Sequence, residues 1–559
     1  MKSLRQVAIA VLLTVLAAGM APLSAQEPAQ QSNAVRQALE KIVAQEKQLI
    51  KTFSSYSPRV ETYIQEIHTD KDRKSRIVGD DYFMGRLEVK DGVVERSFLP
   101  SPGITLRGIL SKVLLYGPIL DMISFELKPG SFAYPIFVDP RNFDLQHYQF
   151  EFVGREFLGQ VRCLVFNVRP RTNAGKGLFE GRIWVEDQGY HIVRFNGVYG
   201  KHNGFTFHFD SWRENLQPGL WLPVYVYSEE SDLKQYGVPH LGFRSQTRLW
   251  GYILKSTTPD QELTQILVDS NSNVEDASST SHDVSPLQSE RDWRHEAETN
   301  VLNRLQKGGL MAPVGPVDKV LETVVNNLVV TNHLDNLPPV HCRVLMTYPL
   351  ESFTLGDTIV LSRGLIDVLP DEASLAMVLA HELAHIALGD TLDTKYAFYD
   401  RMMVSDEELL KKFDFARTPQ DEEAADKEAV KLLENSPYKN KLGKAGLFLE
   451  ALAEIAPHTP NLFGAHLGNR LIDTHQQLRM AQLLQGAPKL DPKSLDQIAA
   501  LPLGARIKVD AWNDQISLMK SKPVNLISAK DKMPFEVTPL IPYLTRYDSK
   551  TERQAQSQP

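Results

Sequence analysis

The chain has 559 residues, and its 61 Lys and Arg against 69 Asp and Glu give a net charge of −8. This acidic balance excludes a dominant nucleic-acid function, which requires a basic surface. The chain is too long for one ordinary hydrophobic core, so we expect two domains joined by a linker. Its only cysteines, Cys163 and Cys342, are expected to be buried and unpaired, which excludes a Cys-rich metal site.

The N-terminus has the pattern of an export signal. Lys2 and Arg5 precede an uncharged apolar run at 7–20, and residues 23–25 then offer small side chains for cleavage. We therefore expect a signal peptide at 1–25 and a periplasmic or secreted mature protein. The alternative is a retained N-terminal membrane anchor. No other segment is long and apolar enough to span a bilayer.

Residues 33–255 have the pattern of one helix followed by an antiparallel β domain. Apolar residues recur with helical spacing over 33–52, and from about residue 58 many short segments alternate apolar and polar residues. Such alternation is typical of an antiparallel sheet with one buried face. The expected strands include 61–67, 82–89, 147–153, 161–168, 182–185, 191–195, 205–209 and 221–227.

A change of composition separates this domain from the rest of the chain. Residues 256–290 are rich in Ser, Thr, Asp and Asn and lack aromatic residues, which is typical of a polar linker. Helical patterns dominate afterwards, and we expect a second domain over 291–487. A C-terminal extension, partly disordered, follows over 488–559, with a strand pair expected within 506–520.

The second domain is predicted to contain a buried helix between Asp371 and Gly389, which are suited to its first and last turns. The residues between them are apolar all round the helix axis, as in a helix enclosed by the core. His381 and His385 are four residues apart, so they lie on one face and can share a cation. With Glu382 they form His-Glu-x-x-His, a spacing typical of zinc hydrolysis. The alternative is a pair of core histidines that donate to backbone carbonyls.

A second predicted helix, over 418–435, offers the third metal ligand. Glu422 and Asp426 lie on its core-facing side beside Ala425 and Ala429, and these small residues permit close approach to the first helix. We expect Glu422 to complete the metal site. Asp426, one turn later, is expected to accept the free N–H of a ligand histidine. The alternative is a surface cluster of acidic residues.

Together the two helices resemble a zinc metallopeptidase family, peptidase family M48 (the minigluzincin type). It includes the CAAX prenyl protease, the heat-shock membrane protease HtpX and soluble periplasmic quality-control proteases. The family couples His-Glu-x-x-His to Glu-x-x-Ala-Asp, which stand here at 381–385 and 422–426, and residues 358–366 resemble the strand and turn that precede its metal helix. The resemblance covers about 317–484. It implies one Zn²⁺ per chain and a compact, mostly helical domain with an edge strand to which peptide substrates add.

Two segments depart from the family pattern. Residues 351–354 stand where members often carry an Asn-Ala-Phe-like stretch, which leaves substrate preference open. Members also often have Thr-His-Pro ending in Arg, where this chain has Thr-His-Gln at 474–476 and then Arg479. His475 is therefore a candidate catalytic residue, as a transition-state donor or a gate. The alternative is a histidine on a helix surface.

The N-terminal domain loosely resembles the half-barrel of periplasmic lipoprotein carriers, in segments 177–186 and 191–194. Such domains can shelter acyl chains in a concave face, which implies lipid or membrane-surface contact. The alternative is an antiparallel domain that positions substrates. The expected fold is therefore α+β, with a half-barrel-like antiparallel domain followed by a mostly helical zincin-type metallopeptidase domain.

The expected function is zinc-dependent endopeptidase activity in envelope protein quality control, with misfolded envelope proteins as substrates. His381, His385 and Glu422 hold the metal, and Glu382 takes a proton from the attacking water and delivers it to the leaving amine. The alternative is a lipid- or client-binding periplasmic chaperone with a latent protease domain.

Overall fold

The structure, a computed structural model, describes fourteen stretches of the chain. They are residues 27–69, 75–89, 93–97, 132–158, 161–175, 177–200, 208–230, 241–252, 286–390, 412–464, 467–470, 478–489, 507–509 and 516–518. The predicted signal peptide, most of the predicted linker and His475 lie outside them. Within these stretches, no helix combines the length and apolar composition that a bilayer span requires.

The N-terminal part is built on ten strands. They are β1 (Arg59–Thr69), β2 (Ser75–Val89), β3 (Val93–Ser97), β4 (Tyr148–Leu158), β5 (Val161–Pro170), β6 (Phe179–Glu186), β7 (Ile192–Tyr199), β8 (His208–Gln217), β9 (Leu220–Glu230) and β10 (Leu241–Trp250). In the sheet they lie in the order β3-β2-β1-β10-β9-β8-β7-β6-β5-β4, with antiparallel pairing throughout. The sheet is open, because β3 and β4 are its two edges.

The predicted N-terminal helix is present as α1 (Glu27–Phe53), and it packs on the sheet. Phe53 at its end meets Phe137 edge to face, with ring centroids 5.2 Å apart. Glu46 forms a buried bidentate pair with Arg213 of β8, at 2.6 and 2.7 Å. Because a buried charge needs a partner, this pair fixes the position of the helix on the sheet.

Two strands of the predicted β domain, β3 and β10, are not among those named from the sequence, and β10 shows why. It lies in the middle of the sheet, and three of its polar side chains, Ser245, Gln246 and Thr247, are at most 2% exposed. The alternation of apolar and polar residues that indicates a half-exposed strand is therefore absent. The predicted strand 205–209 is described only from His208, where β8 begins.

The C-terminal part is mostly helical around a small second sheet. Its elements are α2 (Pro286–Lys307), α3 (Pro316–Thr331), β11 (His341–Leu345), β12 (Glu351–Leu355), β13 (Thr358–Ser362), α4 (Arg363–Val368), α5 (Glu372–Leu388), α6 (Pro419–Glu434), α7 (Leu442–Ile455) and β14 (Asn469–Arg470). The sheet order is β11-β13-β12-β14. Strand β11 is parallel to β13, whereas β12 is antiparallel to both its neighbours. Helix α2 already begins at Pro286, within the segment predicted as a linker.

Buried polar contacts join the two parts of the molecule. Asp80 of β2 accepts hydrogen bonds from the backbone N–H groups of Asn461 (3.0 Å) and Leu462 (2.7 Å), which follow α7. Glu61 of β1 accepts a hydrogen bond from Arg363, the first residue of α4, at 2.6 Å. Strands β1 and β2 of the large sheet therefore pack directly against the C-terminal domain.

The predicted α+β class is confirmed, with an open antiparallel sheet followed by a mostly helical domain. Both cysteines are buried and unpaired, as expected. Further on, β15 (Ile507–Val509) and β16 (Ile516–Leu518) form the antiparallel pair predicted within 506–520.

Candidate metal centre

Helix α5 has the boundaries and burial that its sequence predicts. The Asp371 side chain accepts the backbone N–H of Ser374 at 2.9 Å, and Gly389 ends the helix in the left-handed region, with φ of 76°. All residues from Ala373 to His385 are buried. The only ionisable side chains on that enclosed stretch are therefore those of the His-Glu-x-x-His segment, at most 4% exposed.

Helix α6 brings the second predicted segment to α5. The Thr418 side chain accepts the backbone N–H of Asp421, and Pro419 is the first helical residue. Ala425 and Ala429 are fully buried, so the two helices can approach closely. Glu422 lies on the same face and is 1% exposed, deep in the core for a carboxylate.

Three side chains from these helices converge on one point. His381 Nε2 lies 3.3 Å from His385 Nε2 and 3.2 Å from Glu422 Oε2. The second oxygen of Glu422 lies 3.8 Å from His385 Nε2, and the potential ligand atoms all fall within 4.8 Å of one another. Nowhere else in the described stretches does such a group of three occur.

These distances fit a zinc ion. A tetrahedral zinc with bonds of about 2.0–2.1 Å separates neighbouring ligand atoms by about 3.3 Å, close to the two shorter spacings here. The buried Glu422 carboxylate also accepts no well-formed hydrogen bond from the described residues. A buried carboxylate without such bonds requires a positive partner. Two imidazoles and one carboxylate are moreover a donor set typical of catalytic zinc, which leaves a fourth position open.

Each histidine has a carboxylate close to its Nδ1 atom, on the side of the ring away from the convergence point. Asp426 Oδ1 lies 2.9 Å from His381 Nδ1, and Asp390 Oδ2 lies 2.8 Å from His385 Nδ1. Each ring therefore presents Nε2 to the centre while Nδ1 faces an acidic group, an arrangement that orients metal-binding histidines. The contact of Asp426 is the one expected from its place on α6.

Asp390 was missed in the sequence. Its backbone N–H donates to the carbonyl of His385 at 3.0 Å, because the left-handed turn at Gly389 folds the chain back over the last helical turn. The signal was present in the sequence as a glycine stop followed at once by an acidic residue.

The pKa values of the two imidazoles are shifted in opposite directions, upward for His381 and downward for His385. Burial disfavours a charged His381, but the adjacent carboxylates of Asp426 and Glu422 outweigh it and raise its pKa to about 10. Burial and the positive charge of His381 lower the pKa of His385 to about 2. The carboxylates around His381 therefore favour a positive charge at this point of the site. A divalent cation can take the place of that charge.

Glu382 is not in the group of three ligands, as a general base requires. Its carboxylate is fully buried and accepts hydrogen bonds from Ser352 at 2.6 Å and from Thr354 at 2.7 Å. Both hydroxyls belong to β12, in the segment that departs from the family pattern.

Part of the outer edge of β12 is occupied by the chain itself. Strand β14 pairs with residues 351–352, and the buried Glu351 carboxylate accepts the backbone N–H of Leu467 at 3.0 Å. The guanidinium of Arg417 donates to the carbonyl of Thr354 at 3.2 Å. An added peptide strand therefore meets existing partners along this edge.

Of the segment 474–479 that also departs from the family pattern, only its end is described. Arg479 Nη2 lies 3.5 Å from the Glu422 carboxylate, so a positive charge stands beside the ligand group. His475 lies outside the described residues, and its catalytic role stays a prediction.

Comparison with solved structures finds neighbours that cover about 40% of this chain. One is described as an outer membrane lipoprotein-sorting protein domain from Vibrio parahaemolyticus (11% identity, 41% of this chain and 97% of that chain, TM-score 0.19). Others are a LolA superfamily protein from Nitrosomonas europaea (11%, 40% and 95%, 0.19) and a DUF1329 family protein from Desulfovibrio piger (12%, 40% and 95%, 0.20). One of the three is named as a lipoprotein-sorting domain and one as a LolA superfamily protein, and nothing about a ligand follows from them.

No curated protein sequence matches the chain. The model of peptidase family M48 matches residues 318–405, a span that contains β12, β13 and the whole of α5. The family resemblance expected from the sequence is thus confirmed for this segment, and the match supports a zinc metallopeptidase.

Proposed function

We propose that this protein is an exported zinc-dependent endopeptidase with Glu382 as its general base. The observation that carries the proposal is the buried convergence of His381, His385 and Glu422 within 4.8 Å, beside a carboxylate that is not itself a ligand. A zinc ion held by these three residues would polarise the scissile carbonyl and acidify the attacking water.

The protein's own side chains supply the proton transfers and the geometry. Glu382 takes the proton of the attacking water on its carboxylate and passes it to the leaving amine. Asp390 and Asp426 keep the two imidazoles oriented through their Nδ1 atoms. Because the surrounding helices bury this group, the transfers take place away from bulk water.

The substrate is proposed to be an extended polypeptide that adds to the edge of β12. The edge lies next to the base, since Ser352 and Thr354 of this strand contact Glu382. A peptide that pairs with the whole strand has to displace β14 from residues 351–352. Only chains flexible enough to become extended can do so, which favours unfolded proteins as substrates.

The proposed place of action is the cell envelope. The charged, apolar and small-residue pattern of the first 26 residues supports export. The resemblance to periplasmic quality-control proteases supports misfolded envelope proteins as substrates.

A client-binding chaperone with a latent protease domain is the second candidate, and β14 favours it, because the strand covers part of the substrate edge. Acyl-chain binding in the sheet is less well supported. The part of α1 from Glu46 to Phe53 packs on the sheet, with the buried pair between Glu46 and Arg213 and the contact of Phe53 with Phe137. The chain's own side chains therefore cover this part of the sheet face, where an acyl chain would have to bind.

Zinc analysis combined with a casein cleavage assay tests the proposal, on the mature protein and on Glu382→Gln. The wild type is expected to hold one zinc and cleave casein. The variant is expected to keep its zinc and lose cleavage by about 100-fold or more, because it lacks the base. Undiminished cleavage by the variant would refute the role of Glu382. A zinc-bound wild type that cleaves nothing and copurifies with lipid, detected by mass spectrometry, would favour the second candidate.

A further inference from the structure

Two hydroxyl side chains of β12 hold the carboxylate of Glu382, one at each oxygen. Ser352 Oγ lies 2.6 Å from Oε1, and Thr354 Oγ1 lies 2.7 Å from Oε2. The two residues are separated by one position, so strand alternation places them on the same face of β12. Phe353 between them points the other way, against the ring of Phe415, with centroids 4.7 Å apart.

This arrangement meets a strict energetic demand. Glu382 is fully buried in a helix whose enclosed stretch carries only two other ionisable side chains, His381 and His385, and a buried carboxylate without donors is strongly destabilising. Hydrogen bonds to an ionised carboxylate are short and strong, as both are here. In the described part of the chain, no other side chain donates to this carboxylate.

The strand that carries the hydroxyls is itself firmly held. Strand β13 pairs with it on one side, and the guanidinium of Arg417 donates to the carbonyl of Thr354 at 3.2 Å. Ser352 and Thr354 are 3% and 2% exposed, so their side chains have little freedom to turn away. The position of the carboxylate is therefore set by a rigid strand on one side and by α5 on the other.

We infer that Ser352 and Thr354 are positioning residues for the general base, each fixing one oxygen of Glu382. This inference rests on the proposed peptidase function. A base acts efficiently only when its oxygen is aimed at the proton it receives, and a misplacement of about 1 Å can lower the rate by about 100-fold. Loss of either hydroxyl frees the carboxylate to rotate while leaving the metal ligands and the substrate edge in place.

The kinetic test compares Ser352→Ala and Thr354→Val with wild type, using a fluorogenic peptide substrate. Each variant is expected to show kcat lowered about 10- to 100-fold, with KM and zinc content unchanged. Thr354→Ser, which keeps the hydroxyl, is expected to restore most of kcat. The matched control is Thr358→Val on β13, a buried threonine whose hydroxyl contacts Asp357 and not the base, and it is expected to behave as wild type.

A thermal-unfolding cycle tests the contact without relying on activity. Thr354→Val is made in the wild type and in a Glu382→Leu background. It is expected to lower the unfolding midpoint in the wild type, because the carboxylate loses a donor. Beside Leu the loss should be clearly smaller, because only the 3.2 Å contact of the hydroxyl with the backbone carbonyl of residue 382 remains. Equal losses in both backgrounds would overturn the inference, and so would normal kcat in both hydroxyl variants.

If the wild type cleaves nothing, or Glu382→Gln cleaves as well as wild type, the peptidase function itself fails. The cycle still reports separately on the hydroxyl contact.

Discussion

Glu61 of β1 and Arg363 of α4 form a buried ion pair across 302 positions of sequence, with 2.6 Å between Oε2 and Nη2. The other oxygen of Glu61 accepts the Tyr82 hydroxyl at 2.9 Å and the backbone N–H of Tyr348 at 2.6 Å. Tyr348 lies three residues before β12. One carboxylate of the large sheet therefore anchors the chain immediately before β12 and immediately after β13, the two paired strands beside the proposed base.

Glu61→Ala is expected to destabilise the whole protein. Removing one partner of a buried pair leaves Arg363 uncompensated, which lowers the free energy of unfolding by about 3–5 kcal/mol. The matched control is Glu423→Ala, which breaks the exposed pair with Lys427 on α6. This variant should change the free energy of unfolding by at most about 0.5 kcal/mol. Urea denaturation of both variants decides the matter. Similar small losses for the two would show that the sheet is not coupled to the metal domain through this pair.

Zinc binding is expected to depend on each of the three proposed ligands. His385→Ala and Glu422→Ala should each lose bound zinc, because two donors are too few for a stable site of this kind. His295, exposed on α2, provides the control, and His295→Ala should retain one zinc per chain. Elemental analysis after gel filtration gives the stoichiometry. One equivalent of zinc in either ligand variant would remove that residue from the site.

Asp390 is expected to tune the metal affinity although it does not touch the metal. Asp390→Asn keeps the size of the side chain but weakens the hold on His385 Nδ1, so zinc affinity should fall by about 10- to 100-fold. Asp426→Asn should act in the same way through His381. Asp414→Asn, on the exposed approach to α6, is the control. Chelator competition measures the affinities, and unaltered values for both variants would contradict the supporting role of these carboxylates.

The two metal helices could be predicted from the sequence because their signals are local. The N-caps at Asp371 and Thr418, the glycine stop at Gly389 and the apolar surround of α5 all lie within a few residues of the features they define. Glu422 could be placed opposite the histidines because helical spacing alone puts it on the face of α6 that carries Ala425.

The supports of the site could not be predicted in the same way, because they depend on distant pairing. Ser352 and Thr354 reach Glu382 only through the register of β12 against β13, and a serine or threonine in a strand is ordinary. The pairing of Glu61 with Arg363 depends on how a ten-stranded sheet meets a separate helix. No periodicity in either segment carries that information.

Asp81 on β2 is expected to make stability depend on pH. Burial, Glu66 and Asp80 raise its pKa from 3.8 to about 7. Between pH 4 and 7 the folded state therefore binds a proton that the unfolded state has lost, and this residue's contribution to stability decreases as the pH rises. Asp81→Asn removes the effect, so its unfolding midpoint should exceed that of wild type by roughly 2–4 °C at pH 8 and match it near pH 4. Asp335→Asn, an exposed control, should show no such trend. A difference that stays constant across this range would show that Asp81 titrates normally.

Release of β14 is expected to raise peptidase activity, if substrates add to β12 as proposed. The strand is only two residues long, so its hold on residues 351–352 is weak enough to be shifted by one substitution. Asn469→Pro removes the backbone N–H of the residue opposite Ser352 and cannot extend the ladder, whereas Asn469→Ala keeps that N–H. The proline variant should cleave an unfolded substrate several-fold faster, mainly through a lower KM, because the peptide no longer has to displace β14. The alanine variant should behave as wild type. Equal KM values in the two variants, with zinc retained, would show that β14 does not compete with the substrate for this edge.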